Sequence, residues 1–203
     1  MADSPAPTRQ YQPAGVGVLQ SIHDLKYATR SLAAAAIPAI TNFFGAAPSP
    51  DLTLDRYDQG NTLVASGKQF TIYQLAVHVW KNTADANLED IQKIVDNCFI
   101  QIVTAAKEFG VYPVACLPYG GGVNIQGGNV AVTPAAAPGG KTSLGVTNGH
   151  PLRKRFSLKH PLIVQSNQPF SVNLVGPTVT PLTLSSITLV RIELEGVEER
   201  AAS

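Results

Sequence analysis

The run Phe156-Ser157-Leu158-Lys159-His160-Pro161-Leu162-Ile163-Val164-Gln165, and after Ser166-Asn167-Gln168-Pro169 the run Phe170-Ser171-Val172-Asn173-Leu174, decide the fold class. Phe156, Leu158, Leu162 and Val164 alternate with Ser157, Lys159 and Gln165, and Phe170, Val172 and Leu174 alternate with Ser171 and Asn173. Successive side chains of a strand point to opposite faces, so a period of two with one polar row describes half-exposed antiparallel strands. Asn167-Gln168-Pro169 supplies turn chemistry between them. Val190, Ile192 and Leu194, alternating with Arg191, Glu193 and Glu195, add another strand of the same kind.

Working back toward the start, residues 62–65 and 70–80 are rich in Val, Ile, Tyr, Phe and Thr and flank Ser66-Gly67-Lys68, which predicts a first hairpin. Leu88, Ile91 and Val95 recur at helical spacing, so residues 87–96 read as a short helix, capped by Asn87 and carrying Glu89 and Asp90 where the dipole favours acids. Residues 98–105 and 111–117 read as strands, residues 123–126 as a possible short one, and the Ala/Pro/Gly-rich stretch 130–149 as a long loop. At least seven short strands and one short helix predict a mainly β chain folded as an antiparallel β-sandwich, not a βαβ sheet.

The front of the chain reads differently. Residues 1–18 hold three prolines and two glycines with no apolar period, the composition of a flexible arm. Ser21-Ile22-His23-Asp24 looks like a helix start, and Ile22, Leu25, Ala28, Leu32 and Ala35 follow at helical spacing. Residues 33–36, all alanine, favour helix, and Pro38 ends it. The expected organisation is therefore an arm (1–18), a helical and apolar segment with its connector (19–50), and a β domain (51–203). Ile22, Leu25, Leu32, Ile40, Phe43 and Phe44 are the candidate interface residues. Either they pack under their own domain, or they face a neighbouring subunit or a membrane.

Composition narrows the function classes. With 15 Lys+Arg against 14 Asp+Glu the chain has a formal net charge of +1, so no overall field draws nucleic acid or acidic lipid. Charged residues make up 14%, against roughly 25% in an average soluble domain. A surface so short of charge points to burial against other copies. The most apolar run, residues 32–40, contains Pro38 and is far below the roughly 20 residues of a spanning helix.

Chemistry-bearing patterns are sparse. Residues 135–142 read A-A-A-P-G-G-K-T, which ends like a phosphate-binding loop but lacks its first glycine and is followed by Gly145, Gly149 and Pro151 instead of a helix. His23, His78, His150 and His160 show no metal-ligand spacing, and Cys98 and Cys116 form neither a zinc pair nor a redox pair. A hairpin turning near Lys107 would bring those two cysteines nearly opposite each other, where a disulfide is one alternative to two free thiols. Arg153-Lys154-Arg155 could touch a few phosphates, but three charges before a strand are ordinarily a solvated loop end. These features predict no catalytic residues, no cofactor and no metal.

The order of motifs resembles the jelly-roll capsid proteins of tailless, often membrane-containing icosahedral bacteriophages. The likeness lies in the strand pair within 61–80, the short helix running into an apolar strand (88–102), and the hairpin ending in Leu117-Pro118-Tyr119-Gly120-Gly121-Gly122. It continues in Phe156-x-Leu158-x-x-Pro161-Leu162-Ile163-Val164, Asn167-Gln168-Pro169-Phe170-x-Val172 and Val190-Arg191-Ile192-Glu193-Leu194-Glu195-Gly196. It covers about two thirds of the chain. The resemblance implies a single jelly roll serving as a structural subunit of a viral capsid, made in the host cytoplasm and ending in the virion, without enzymatic activity. Its implied partners are other copies of itself, other capsid proteins and an internal viral membrane, with no specific nucleic-acid recognition and no small-molecule substrate. Many such phages use a double jelly roll, so shell, vertex and minor-component roles stay open. The competing reading is a carbohydrate- or receptor-binding β-sandwich; a cupin would need clustered His and Glu.

Overall fold

The computed structural model describes residues 19–51, 53–81, 89–105, 107–117, 123–124, 147–148 and 155–201. The strands are β1 (Leu19–Leu32), β2 (Ile40–Asn42), β3 (Lys68–Lys81), β4 (Phe99–Thr104), β5 (Lys107–Pro113), β6 (Val123–Asn124), β7 (Thr147–Asn148), β8 (Phe156–Gln165), β9 (Phe170–Val175) and β10 (Thr188–Ala201). One helix, α1 (Glu89–Asn97), lies between β3 and β4, and a single 3-10 turn spans Val114–Cys116. Two antiparallel four-stranded sheets carry the fold, in the orders β1-β10-β3-β8 and β2-β9-β4-β5, with β6 and β7 forming a separate two-residue pair.

Alternation explains the packing. Val190, Ile192 and Leu194 of β10 lie opposite Val79, Val77 and Leu75 of β3. All except the half-buried Val79 are buried, and they join Ile100, Ile102, Val172 and Leu174 of the other sheet in one hydrophobic cluster. Near the end of β10 the register against β3 shifts between Glu195 and Gly196. There the two backbones approach so closely that a Cβ on Gly196 would sit 2.1 Å from the Thr71 carbonyl oxygen, which only glycine avoids.

The connections gather at two ends. At one, the β1–β2 and β9–β10 connections are bonded together, Ile37 N–H donating to Leu182 O at 2.8 Å and Leu184 N–H to Ala35 O at 2.9 Å. Asp90, fully buried in the first turn of α1, accepts from the Ser185 N–H and hydroxyl and from the Ser186 N–H at 2.7 to 3.1 Å, which locks α1 to the same end. At the other end the long β2–β3 connection folds over the core. Phe43, Phe44, Leu63 and Val64 are fully buried there, and Phe44 meets Tyr57 edge-on with ring centroids 5.1 Å apart.

Two expectations are corrected, and the alternatives left open for the cysteines are decided. The segment 19–50, read as helical and separate, supplies two strands: β1 is hydrogen-bonded to β10 over its whole length, and β2 borders the second sheet. A fourteen-residue ladder outweighs the helix preference of a few alanines, since propensity is worth only tenths of a kcal/mol per residue. Residues 62–65 form no strand; Asn61 and Leu63 adopt positive φ (64° and 66°) and turn Leu63 and Val64 into the core. Cys98 and Cys116 are both free, Cys98 buried with its thiol pushed up to about 11 by burial, and Cys116 exposed on the 3-10 turn. The strand ends at Pro113, so the residue facing Cys98 is Val114, whose N–H donates to Cys98 O at 3.0 Å. The arm 1–18 and most of the loop 130–149 lie outside the described residues.

Candidate assembly surface

The body presents three different surfaces, and their charge decides what each can do. At the end where β1 begins, register places Lys26 opposite Leu194, so a lysine occupies an inward row. It is 1% exposed, and its Nζ lies 2.9 Å from Glu198, 3.2 Å from Asp24 and 3.4 Å from Asp58. Lys68 reaches Asp58 at 2.7 Å and Glu198 at 3.0 Å, and Arg56 reaches Asp24 at 2.8 Å. Burial alone would raise the Asp58 carboxyl, but the hydrogen bond from Lys68 and the charge of Lys26 outweigh it and hold Asp58 below its usual range. The same bond, donated by Lys68 to Asp58, holds the Lys68 ammonium above its ordinary value. A cleft of ≈ 380 Å³ opens beside this network, yet its three cations are already paired with Asp24, Asp58 and Glu198, and its fourth carboxylate, Asp55, is paired with Arg30. The network is a structural lock, and its inward charges also keep the long β1 edge from pairing with foreign strands.

The outer face of the first sheet carries a second set of paired charges. Glu193, 7% exposed, meets His78 at 3.3 Å and Arg155 at 3.3 Å, while Glu195 meets His23 at 2.9 Å and also Arg155. Burial pushes the Glu193 carboxyl up, but His78 and Arg155 pull it below its ordinary value. Arg191 lies over the rings of Tyr27 (4.7 Å) and Trp80 (5.4 Å) and donates to Thr29 Oγ1 at 3.0 Å. The Tyr27 and Trp80 rings, which together could offer a stacking platform for a sugar, are thus occupied by the protein's own guanidinium. Arg155, the one described member of the basic triplet, is likewise committed to carboxylates instead of facing outward for phosphate.

The outer face of the second sheet is built of uncharged side chains. Ile40, Val175, Phe99 and Pro113 lie side by side across β2, β9, β4 and β5. Ile40 is 62% exposed and Phe99 42%. The next row reads Asn42, Asn173, Gln101 and Val111, with Val111 46% exposed and Asn173 Nδ2 donating to Gln101 Oε1 at 3.2 Å. Glu108, in the following row opposite Val103, accepts from Gln101 Nε2 at 2.8 Å.

Of the six residues singled out in the sequence, Leu32, Phe43 and Phe44 are buried at 2%, 0% and 0% in the molecule's own core. For these three the own-domain alternative holds and an interface role falls away. Ile22 is exposed near the ionic end and Leu25 is half-buried, and of the six only Ile40 belongs to the apolar row. Phe99, Val111, Pro113 and Val175 were not singled out. The available signal was Phe99-Ile100-Gln101-Ile102-Val103, a strand whose apolar residues fall on both faces. Among the described residues no three His, Cys, Asp or Glu side chains converge as a metal site would require, and no helix is long and apolar enough to cross a membrane. No protein-family model matches the chain, and comparison with curated proteins returns no match.

Proposed function

We propose that this chain is a structural subunit of an icosahedral viral capsid and that its two sheets are the halves of a single jelly roll. The observation that carries the reading is the strand order. Counting only the eight strands of the two sheets in chain order, the paired neighbours are first with eighth, second with seventh, third with sixth and fourth with fifth. That is the pattern of one long hairpin rolled over on itself, with β10 against β3 and β9 against β4 closing the two sheets. Such jelly rolls serve viral capsids, lectins and cupins, so fold alone does not choose between them.

Two features weigh toward a shell subunit. Most charges of the described residues are paired within the molecule, and the outer rows of the second sheet form an uncharged apolar and amide surface of the kind subunits bury. A sugar-binding module would group open aromatic rings, whereas Tyr27 and Trp80 hold Arg191 and the exposed rings Tyr73 and Phe99 lie on different sheets. The partners in this reading are further copies and other capsid proteins, with a viral membrane as an additional surface, and the location is the virion. Electron microscopy of the purified protein, alone and after co-expression with other virion proteins, together with a glycan-binding screen, separates the readings. Closed particles without glycan binding are expected; saturable glycan binding by a chain that never assembles would overturn the proposal.

A further inference from the structure

We infer that the outer face of the second sheet is a two-fold contact surface between copies of this chain, centred on Phe99, Ile40 and Val111. The inference rests on the capsid reading in expecting copies to meet, but it names the surface from independent observations. The first is area: the exposed parts of Ile40, Phe99, Val111, Pro113 and Val175 amount to something on the order of 350 Å², the size of the largest apolar patch on a typical monomer. That is nearly half of the roughly 800 Å² per partner in a standard interface, and the adjoining row of Asn42, Asn173 and Gln101 extends it.

The second observation identifies the occupant. A two-fold contact places a patch against itself, residue i on j and j on i, so charges near the axis meet their own images and an uncharged centre avoids that repulsion. Here the two rows contain no charged side chain, and Glu108, in the following row opposite Val103, accepts from Gln101. Amides present both an N–H donor and a carbonyl acceptor, so Asn42, Asn173 and Gln101 can bond to the same residues of a second copy. On the first sheet's outer face the polar groups are instead taken up within the molecule, Glu195 by His23 and Arg155 and Glu193 by His78 and Arg155. The strands that build the patch are held from within: Ile100, Ile102, Val172 and Leu174 are buried, so the face is rigid before contact.

The test compares the full-length chain with Phe99→Asp, with Gln101→Asp, and with Ile163→Asp, which changes a residue equally exposed (44%) but on β8 of the other sheet. Sedimentation velocity over a concentration series reads association, and circular dichroism with thermal melting confirms that each variant is folded. The wild type and Ile163→Asp should show the same monomer–dimer equilibrium, and Phe99→Asp and Gln101→Asp should each weaken it at least tenfold at unchanged melting temperature. Should Phe99→Asp misfold, Gln101→Asp, which alters only an already polar position, carries the test. Association equal in wild type and Gln101→Asp overturns the inference, as does a wild type that stays monomeric throughout. If the wild type and both face variants form shells equally well, the capsid reading stands and this contact falls; a chain that forms neither dimers nor shells removes both.

Discussion

Phe44 and Ile40 lie four residues apart in a segment where sequence alone treats them alike, and replacing each separates a core role from a surface role. Phe44 is fully buried, with its ring centroid 5.1 Å from Tyr57 and 6.0 Å from Phe170. Truncation of a buried phenylalanine to alanine costs about 3 to 5 kcal/mol, from lost transfer energy and the cavity left behind. Because the cavity would be walled by the Tyr57 and Phe170 rings, little collapse is available and the upper half of that range applies. At about 2 to 4 °C per kcal/mol for a chain of this size, Phe44→Ala should melt roughly 8 to 20 °C lower. Ile40→Asp, on a side chain 62% exposed, should change the stability of the monomer by less than about 0.5 kcal/mol. Urea unfolding at concentrations low enough to keep the chain monomeric measures both. A loss below about 1 kcal/mol for Phe44→Ala, or an unfolded Ile40→Asp, would refute this account of the segment.

Three further outcomes are expected. Asp90→Ala should cost about 2 to 3 kcal/mol in urea unfolding, because the Ser185 and Ser186 N–H groups lose a charged acceptor; a cost under about 0.5 kcal/mol would show that α1 is not tied to the β9–β10 connection by that carboxylate. Asp58 and Glu193 have depressed values in the folded state, so their stabilisation is present above the ordinary carboxylate range of about 4 and is lost as pH falls through the folded values. Lys68 is raised, so its contribution is present below about 10.4 and is lost as pH rises through its folded value. Melting temperature should therefore hold steady between these limits and fall outside them, with Asp58→Asn shrinking the acid-side fall; an unchanged acid limb in that variant would contradict the pairing. Finally, chelation of divalent ions should leave both melting and assembly unaltered, and a stoichiometric metal retained through purification would contradict the assignment of these carboxylates to lysine and arginine partners.

The strands β8, β9 and β10 were legible because each keeps one apolar row against one polar row, and that period survives without any knowledge of partners. β1 was not, for a physical reason: its inward row runs Ile22, Asp24, Lys26, Ala28, Arg30, Leu32. Three charges stand where a strand's apolar period would be read, and the carboxylates that neutralise Lys26 and Arg30 include Asp55, Asp58 and Glu198, which come from distant parts of the chain. With the period-two signal hidden, the alanines and the spacing of Ile22, Leu25 and Ala28 imitate a helix. Residues 62–65 misled in the opposite sense, since apolar β-formers there fill the core from a turn. The outer row of the second sheet was unreadable for a third reason: Ile40, Phe99, Pro113 and Val175 come from four separate strands, and only the pairing register sets them side by side.

The central claim, that the chain builds a closed shell, is tested most directly by weighing the assembled species. Particle mass of the assembly, measured by native mass spectrometry and set against the 21.4 kDa chain, should give a discrete species of many copies whose images show icosahedral symmetry. A chain that remains a monomer or dimer at every concentration, and is absent from particles formed with the other virion proteins, would contradict it.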